Sequence, residues 1–439
     1  MFVIRIFIGL VKIRQTVYYK RGKTIFFFFP FKKDMNKILS TAFCFLVPFA
    51  LLAQTPSDTA NIKVDTTGQR DLIDIATKLF KFSPRSNKRE KKQLYFSILP
   101  ISTSVPGGSK ALVTSTTAGF YLGDRKTTYL SSVTFAPYLN LKGRYGLPIH
   151  SSIWSPDNTY NVQGDIRFLV YPQYTWGQGG KRGEDEKLLV DFNYIRFYQS
   201  VLKRIKPYFY VGVGYNMDYY FSINTKNNNP PATLRDFTNY AYGTEEGKNS
   251  FSSGLTLNAV YDTRQNSINP LPGIFGNFIY RHNAGFLGSD NNSQSVYLDF
   301  RKYISLTNEG PKNVFAFWSY YWTTIGSGTP FLNLPGIGND PYQRSGRGIE
   351  QNRYRGESLI YFEAEYRRDI TNNGLFGFVV FTNFNSASEP NTRRFAYINP
   401  AAGAGLRIKF NKRSDTNIAL DYGFSKGYNG LIIGLGEAF

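Results

Sequence analysis

The chain is poor in the residues that most enzymes and disulfide scaffolds rely on, with one cysteine and two histidines among its 439 residues. The cysteine, Cys44, sits in a short apolar run near the start. Beyond that run, disulfides, thiolate metal sites and cysteine nucleophiles are excluded, and the bulky Phe43 before Cys44 argues against lipoprotein cleavage there. His150 and His282 lie far apart in sequence, which argues against a histidine metal cluster and against a Ser-His-Asp triad. The turn-like Gly107-Gly108-Ser109-Lys110 lacks the Gly-x-x-x-x spacing of a phosphate loop. The chain therefore reads as a non-enzyme with no cofactor. Also missing, beyond residue 53, is any run of the roughly 20 consecutive apolar residues that a membrane helix needs.

What is present is alternation. Between Glu357 and Ile370, the residues Ser358, Ile360, Phe362, Ala364, Tyr366 and Ile370 share one face of an extended chain, while Glu357, Glu363, Glu365, Arg367 and Asp369 share the other. Ile418, Leu420, Tyr422 and Phe424 oppose Asn417, Asp421 and Ser425 in the same way. Alternation of this kind also occurs in soluble sandwiches, but a barrel in lipid turns its apolar face outward and lines its lumen with the polar one. Composition favours the barrel. The chain carries 38 Phe and 32 Tyr, 17% aromatic with Trp, yet its mean hydropathy stays at −0.32. Aromatic girdles around a polar interior produce that combination.

The start of the chain reads differently. From Met35, a basic residue at Lys37, an apolar run over 38–52 and Ala53 before a polar stretch make residues 35–53 a secretory signal peptide, with Gln54 the first mature residue. Residues 1–34 are then expected to be upstream sequence translated from too early a start codon. Without residues 1–53 the chain holds 43 Lys/Arg against 30 Asp/Glu, a net charge of +13. These charges are scattered, which does not favour nucleic-acid binding. Residues 54–92 form an N-terminal periplasmic segment whose Leu72, Ile75, Ala76, Leu79 and Phe80 fall at helical spacing, a short amphipathic helix for the barrel rim or for a periplasmic partner.

Residues 93–439 carry about sixteen strand candidates, including runs read as unbroken over 127–139 and 160–174. An even number suits a closed antiparallel barrel. Two connections, 224–248 and 326–356, are long enough for extracellular loops or for loops folded into the lumen. The expected fold is thus an all-β transmembrane antiparallel barrel of about sixteen strands.

The second long connection carries the most specific signal: PGIGNDPYQRSGRGIEQNRYRGESLIYFEAEYRRDI over 335–370. It resembles the BamA/TamA family of outer-membrane proteins, the bacterial surface antigens, whose sixth loop presents an Arg-Gly-aromatic tip. Here Arg347-Gly348-Ile349 matches the Arg-Gly pair of that tip, with Ile349 in the aromatic position. Asp262 and Arg264 near Pro272-Gly273 resemble a family strand end and turn, and the stretches around Arg407, Asp421 and Gly434 to Phe439 resemble its last three strands. The resemblance implies that the Arg347 guanidinium pairs with acids on the inner wall, Glu365 first and Glu363 beside it. Asn383 stands where the family has a second acid, and Glu437 departs from the family's C-terminal signal, which Gly434 and Phe439 fit. The 39 residues of 54–92 fall short of a POTRA domain, so a POTRA-less short form is expected. By resemblance the chain works in the bacterial outer membrane, assisting protein insertion or translocation. Its partners would be outer-membrane lipid and lipopolysaccharide, the assembly machinery during biogenesis and a periplasmic protein. A passive solute pore and a surface receptor are the alternatives.

Overall fold

The computed structural model describes residues 68–80, 95–105, 109–139, 145–170, 172–226, 233–245, 247–264, 269–270, 272–307, 310–341, 343–412 and 415–439. The candidate signal peptide and the residues before it lie outside these, as do residues 54–67. A helix, α1 (Leu72–Phe80), is followed by β1 (Tyr95–Val105), β2 (Ser109–Phe120), β3 (Ser131–Phe135), β4 (Tyr138–Leu139), β5 (Tyr145–Trp154), β6 (Tyr160–Val170), β7 (Gln173–Thr175), β8 (Leu188–Lys206) and β9 (Phe209–Lys226). After a second short helix, α2 (Leu234–Thr238), come β10 (Ser250–Asp262), β11 (Gly273–Asn283), β12 (Ser293–Ser305), β13 (Asn313–Ile325), β14 (Ser358–Asp369), β15 (Phe376–Ala387), β16 (Asn399–Asn411), β17 (Thr416–Ser425) and β18 (Tyr428–Leu435).

These eighteen segments make sixteen staves, because β3 and β4 both pair with β2 and β5, while β6 and β7 both pair with β8. The two runs read as unbroken are in fact interrupted, and both gaps contain a proline, Pro137 and Pro172. Proline offers no N–H to the ladder, so pairing stops and resumes beyond it. Among the described residues every ladder is antiparallel and joins successive staves. The sheet curls until β18 lies beside β1, but among the described residues no backbone ladder joins those two strands.

Burial along the strands is that of a barrel turned inside out. On β10, Leu255 and Leu257 are exposed while Thr256 and Asn258 are buried; on β12, Leu298 is exposed while Asp299 and Arg301 are buried. Phe315 and Phe317 continue the outer band, and Glu363, Glu365, Arg367 and Asp421 lie inside. Exposed apolar surface repeated around so many strands needs a hydrocarbon partner.

The ends of the barrel differ. At one end the connections are short turns such as Pro207-Tyr208 between β8 and β9. At the other, the extensions of β8 and β9, helix α2 and the start of the 326–357 loop share an apolar core: Leu188, Val190, Phe192, Ile223, Leu234, Phe331, Leu332 and Leu334. Both long connections are therefore folded together over the lumen. Arg355, fully buried, ties this roof together by donating to the carbonyls of Phe331 (2.8 Å) and Leu334 (3.3 Å) and to Asn352 Oδ1 (2.6 Å).

Helix α1 docks at the short-turn end. Asp71 accepts from the Asp74 N–H (2.7 Å) and Asp74 from the Asp71 N–H (3.3 Å), a reciprocal cap that starts the helix. Asp71 also accepts from the Lys412 N–H (2.9 Å), and Lys412 Nζ donates to Asp74 (2.7 Å), which fixes the helix to the turn after β16. The hydrogen bond from Lys412 holds the Asp74 carboxyl below its usual 3.8. Its contribution to docking is therefore present above that value and lost as the pH falls through the lowered one. Lys412→Ala is expected to release the helix at neutral pH, read as faster proteolysis between Phe80 and β1. In the outer band, Leu257→Arg should cost about 2–4 kcal/mol of stability in lipid vesicles, measured by denaturant unfolding. Thr256→Ser, on the inner face, should change it little.

Candidate functional site in the barrel lumen

The loop between β13 and β14 descends from the roof and ends in a tight tip, Gly346-Arg347-Gly348. Both glycines have positive φ, +78° and +84°. At Gly348 glycine is required twice over, because a Cβ there would lie 2.6 Å from the Phe424 nitrogen and 2.9 Å from the Gly423 carbonyl carbon. The tip thus seats backbone to backbone on the inner face of β17.

Arg347 is buried, and its guanidinium is surrounded by acid. Nε donates to Glu363 Oε1 (2.9 Å), Nη2 contacts both Glu363 and Glu365, and Nη1 donates to Asp421 Oδ2 (2.6 Å). The flat cation lies over the Phe381 ring, 3.8 Å from its centroid. Around it, Tyr361 accepts from the Gly346 N–H (3.0 Å) and donates to Glu363, while Ile349 enters an apolar cluster with Tyr361, Trp318, Tyr320 and Leu359. On the loop itself, Asp340 gathers Ser345 through its N–H (2.9 Å) and its hydroxyl (2.5 Å).

Of the residues that the sequence singles out, Arg347, Glu363, Glu365, Asn383, Arg407 and Asp421 come together here. Asn383 carries no charge toward the arginine. It donates its side-chain amide to the Arg347 carbonyl (2.9 Å), and Asp421, two strands further on, presents the additional acid. Asp262 and Arg264 pair with each other (2.9 Å) at the end of β10, with Arg264 over Phe275, and belong to no part of this cluster. Gly434 lies on β18 with open space around it. His150 on β5 approaches Asp165 (3.4 Å), whereas His282 sits on β11, so the two histidines share no site.

Sequence reasoning passed over Phe381, Tyr361 and Trp318, the aromatic shelf beneath the tip, and assigned Glu437 no role. The first three carry the same period-two signal as the acids beside them. Glu437 offers none, because it follows the last strand.

The model of the Omp85 superfamily domain matches residues 152–439, which include every residue of the loop-tip cluster. The chain belongs to the Omp85 superfamily. CdiB from Acinetobacter baumannii superposes with a TM-score of 0.50 at 11% identity, over 78% of this chain and 65% of that one. CdiB from Escherichia coli gives 0.49 at 8% identity (80% and 67% covered). BamA from Haemophilus ducreyi lacking POTRA domains 1–3 gives 0.47 at 14% identity (82% and 76% covered). This chain thus spans just under two thirds of the A. baumannii protein. No curated protein matches the sequence.

In this Omp85 barrel the seated tip depends on the missing Cβ of Gly348. Gly348→Ala is expected to cost about 1–3 kcal/mol through strain and the clash with β17, and to open the 335–356 loop to protease. Unchanged stability and protection would mean that the tip does not rest on that strand.

Proposed function

We propose that this barrel assists the insertion or translocation of proteins at the bacterial outer membrane. The observation that carries the reading is a contrast within one sheet. The loop tip is clamped into the lumen by three carboxylates, while the two strands that meet at the end of the sheet, β18 and β1, share no ladder among the described residues. A lumen filled by a folded loop under a packed roof offers no wide passage for solutes. A lumen wall that stays folded while one seam lacks hydrogen bonds offers exposed strand edges, the feature that an incoming β-strand can pair with. Membership of the Omp85 superfamily supports the same reading.

On this reading the exposed apolar band meets outer-membrane lipid and lipopolysaccharide, and biogenesis of the barrel requires the outer-membrane assembly machinery. Helix α1, docked at the short-turn end with Ile73 and Leu79 exposed, is the contact offered to a periplasmic partner protein.

The test is to reconstitute the protein in liposomes and time the folding of an unfolded client barrel. Acceleration is expected from the wild type and should fall to near background with Arg347→Ala. No acceleration by wild type, combined with steady ion conductance, would favour a pore instead. A disulfide engineered between β18 and β1 should also abolish acceleration, and full activity of the tethered protein would exclude opening at the seam.

A further inference from the structure

The segment after β18 does not continue along the sheet. At Gly436, where φ is +81°, the chain turns inward, its N–H still held by the Asn417 carbonyl (2.8 Å). Glu437 then faces the lumen, receiving Arg407 Nε (2.7 Å) and Asn417 Nδ2 (2.8 Å) on its carboxylate. The Phe439 ring lies against Trp318 (5.2 Å between centroids) and beneath Arg367 (5.0 Å), and Arg367 Nη2 donates to the Phe439 carbonyl (3.0 Å). The loop reaches the same segment directly, because Arg344 Nη1 donates to the Glu437 carbonyl.

We infer that the loop tip and residues Gly436–Phe439 are two halves of one latch, joined by a ring of alternating charges, so that release of either loosens the other. The ring can be followed residue by residue. Arg347 meets Glu365, Glu365 meets Arg367, Arg367 approaches Glu437 (3.9 Å), Glu437 pairs with Arg407, Arg407 with Asp421 (2.5 Å), and Asp421 returns to Arg347 (2.6 Å). All six side chains are buried, so each charge depends on its two neighbours rather than on water.

The coupling has the same sign in both directions. With Arg347 withdrawn, the two arginines Arg367 and Arg407 face the four carboxylates Glu363, Glu365, Asp421 and Glu437, and the excess negative charge disfavours keeping Glu437 inside. With Glu437 withdrawn, Arg367 and Arg407 draw more strongly on Glu365 and Asp421, the acids that hold Arg347. Because only Gly436 separates Glu437 from the end of β18, the state of the loop tip is transmitted to the strand that borders the unladdered seam. Glu437 and Arg407 are positioning residues for the tip, although neither contacts it.

Hydrogen exchange of the full chain in lipid nanodiscs tests this without any client protein, so its outcome is independent of the insertion reading. Glu437→Gln is expected to speed exchange about tenfold at residues 345–349 as well as in β18. Arg347→Ala should do the same in β18 and at residues 436–438 as well as in the tip. Unchanged exchange in the β8–β9 hairpin would certify the fold. If Glu437→Gln does not fold, Phe439→Ala, which keeps every charge and removes only the ring on Trp318, is read in the same way. Variants that each loosen only their own segment would overturn the latch.

Discussion

A guanidinium placed at the centre of a barrel lumen must be neutralised where it lies, and the arrangement around Arg347 follows from that requirement. An unpaired buried charge costs several kcal/mol, and removing one partner of a buried pair leaves the other exposed to the full penalty. Glu363 and Glu365 stand on β14 and Asp421 on β17, so the arginine ties together strands separated in the sheet by β15 and β16. The ring of Phe381 closes the site from β15. The loop is held by a charge that only a correctly assembled wall can satisfy, which makes the seated tip a check on the register of four consecutive strands.

The same charges extend the site beyond the loop. Glu365 and Asp421 each serve a second arginine, Arg367 and Arg407, and these two converge on Glu437. Shared carboxylates make the network cooperative, because no member can be removed without leaving two neighbours under-compensated. The polar lumen is thus not simply the solvated side of an amphipathic sheet. It is organised into a hydrogen-bonded layer that couples the loop to the end of β18.

The parts of this arrangement that were legible in the sequence are those with local periodicity. Residues 357–370 alternate strictly enough to assign Glu363 and Glu365 to one face, since adjacent strand residues point to opposite sides of a sheet. Sixteen staves are visible because turn residues separate most of them; two are blurred because Pro137 and Pro172 interrupt strands that resume afterwards. Leu359 and Tyr361 share the polar face of β14, so the loop's apolar seat looks in sequence like an imperfection in the pattern. Asp421 lies 74 residues from Arg347, a distance that no local pattern spans. The substitution of Asn383 for an acid reads as a weaker clamp in one dimension, whereas in space the amide takes the Arg347 carbonyl and Asp421 stands opposite the guanidinium.

Strength and weakness in this barrel are placed side by side. The tip is fixed by charge-assisted hydrogen bonds between buried side chains, the strongest non-covalent contacts available to it. The bordering strand β18 has the opposite character. It is eight residues long, its ladder among the described residues reaches only β17, and Gly430 and Gly434 remove side chains that would otherwise pack along it. If the latch were absent, little beyond one short ladder would retain β18. With it, Glu437 and Phe439 anchor the end of that strand inside the lumen. A weak edge can therefore persist in the resting protein without fraying, and its freedom is governed by buried charges rather than by the ladder itself.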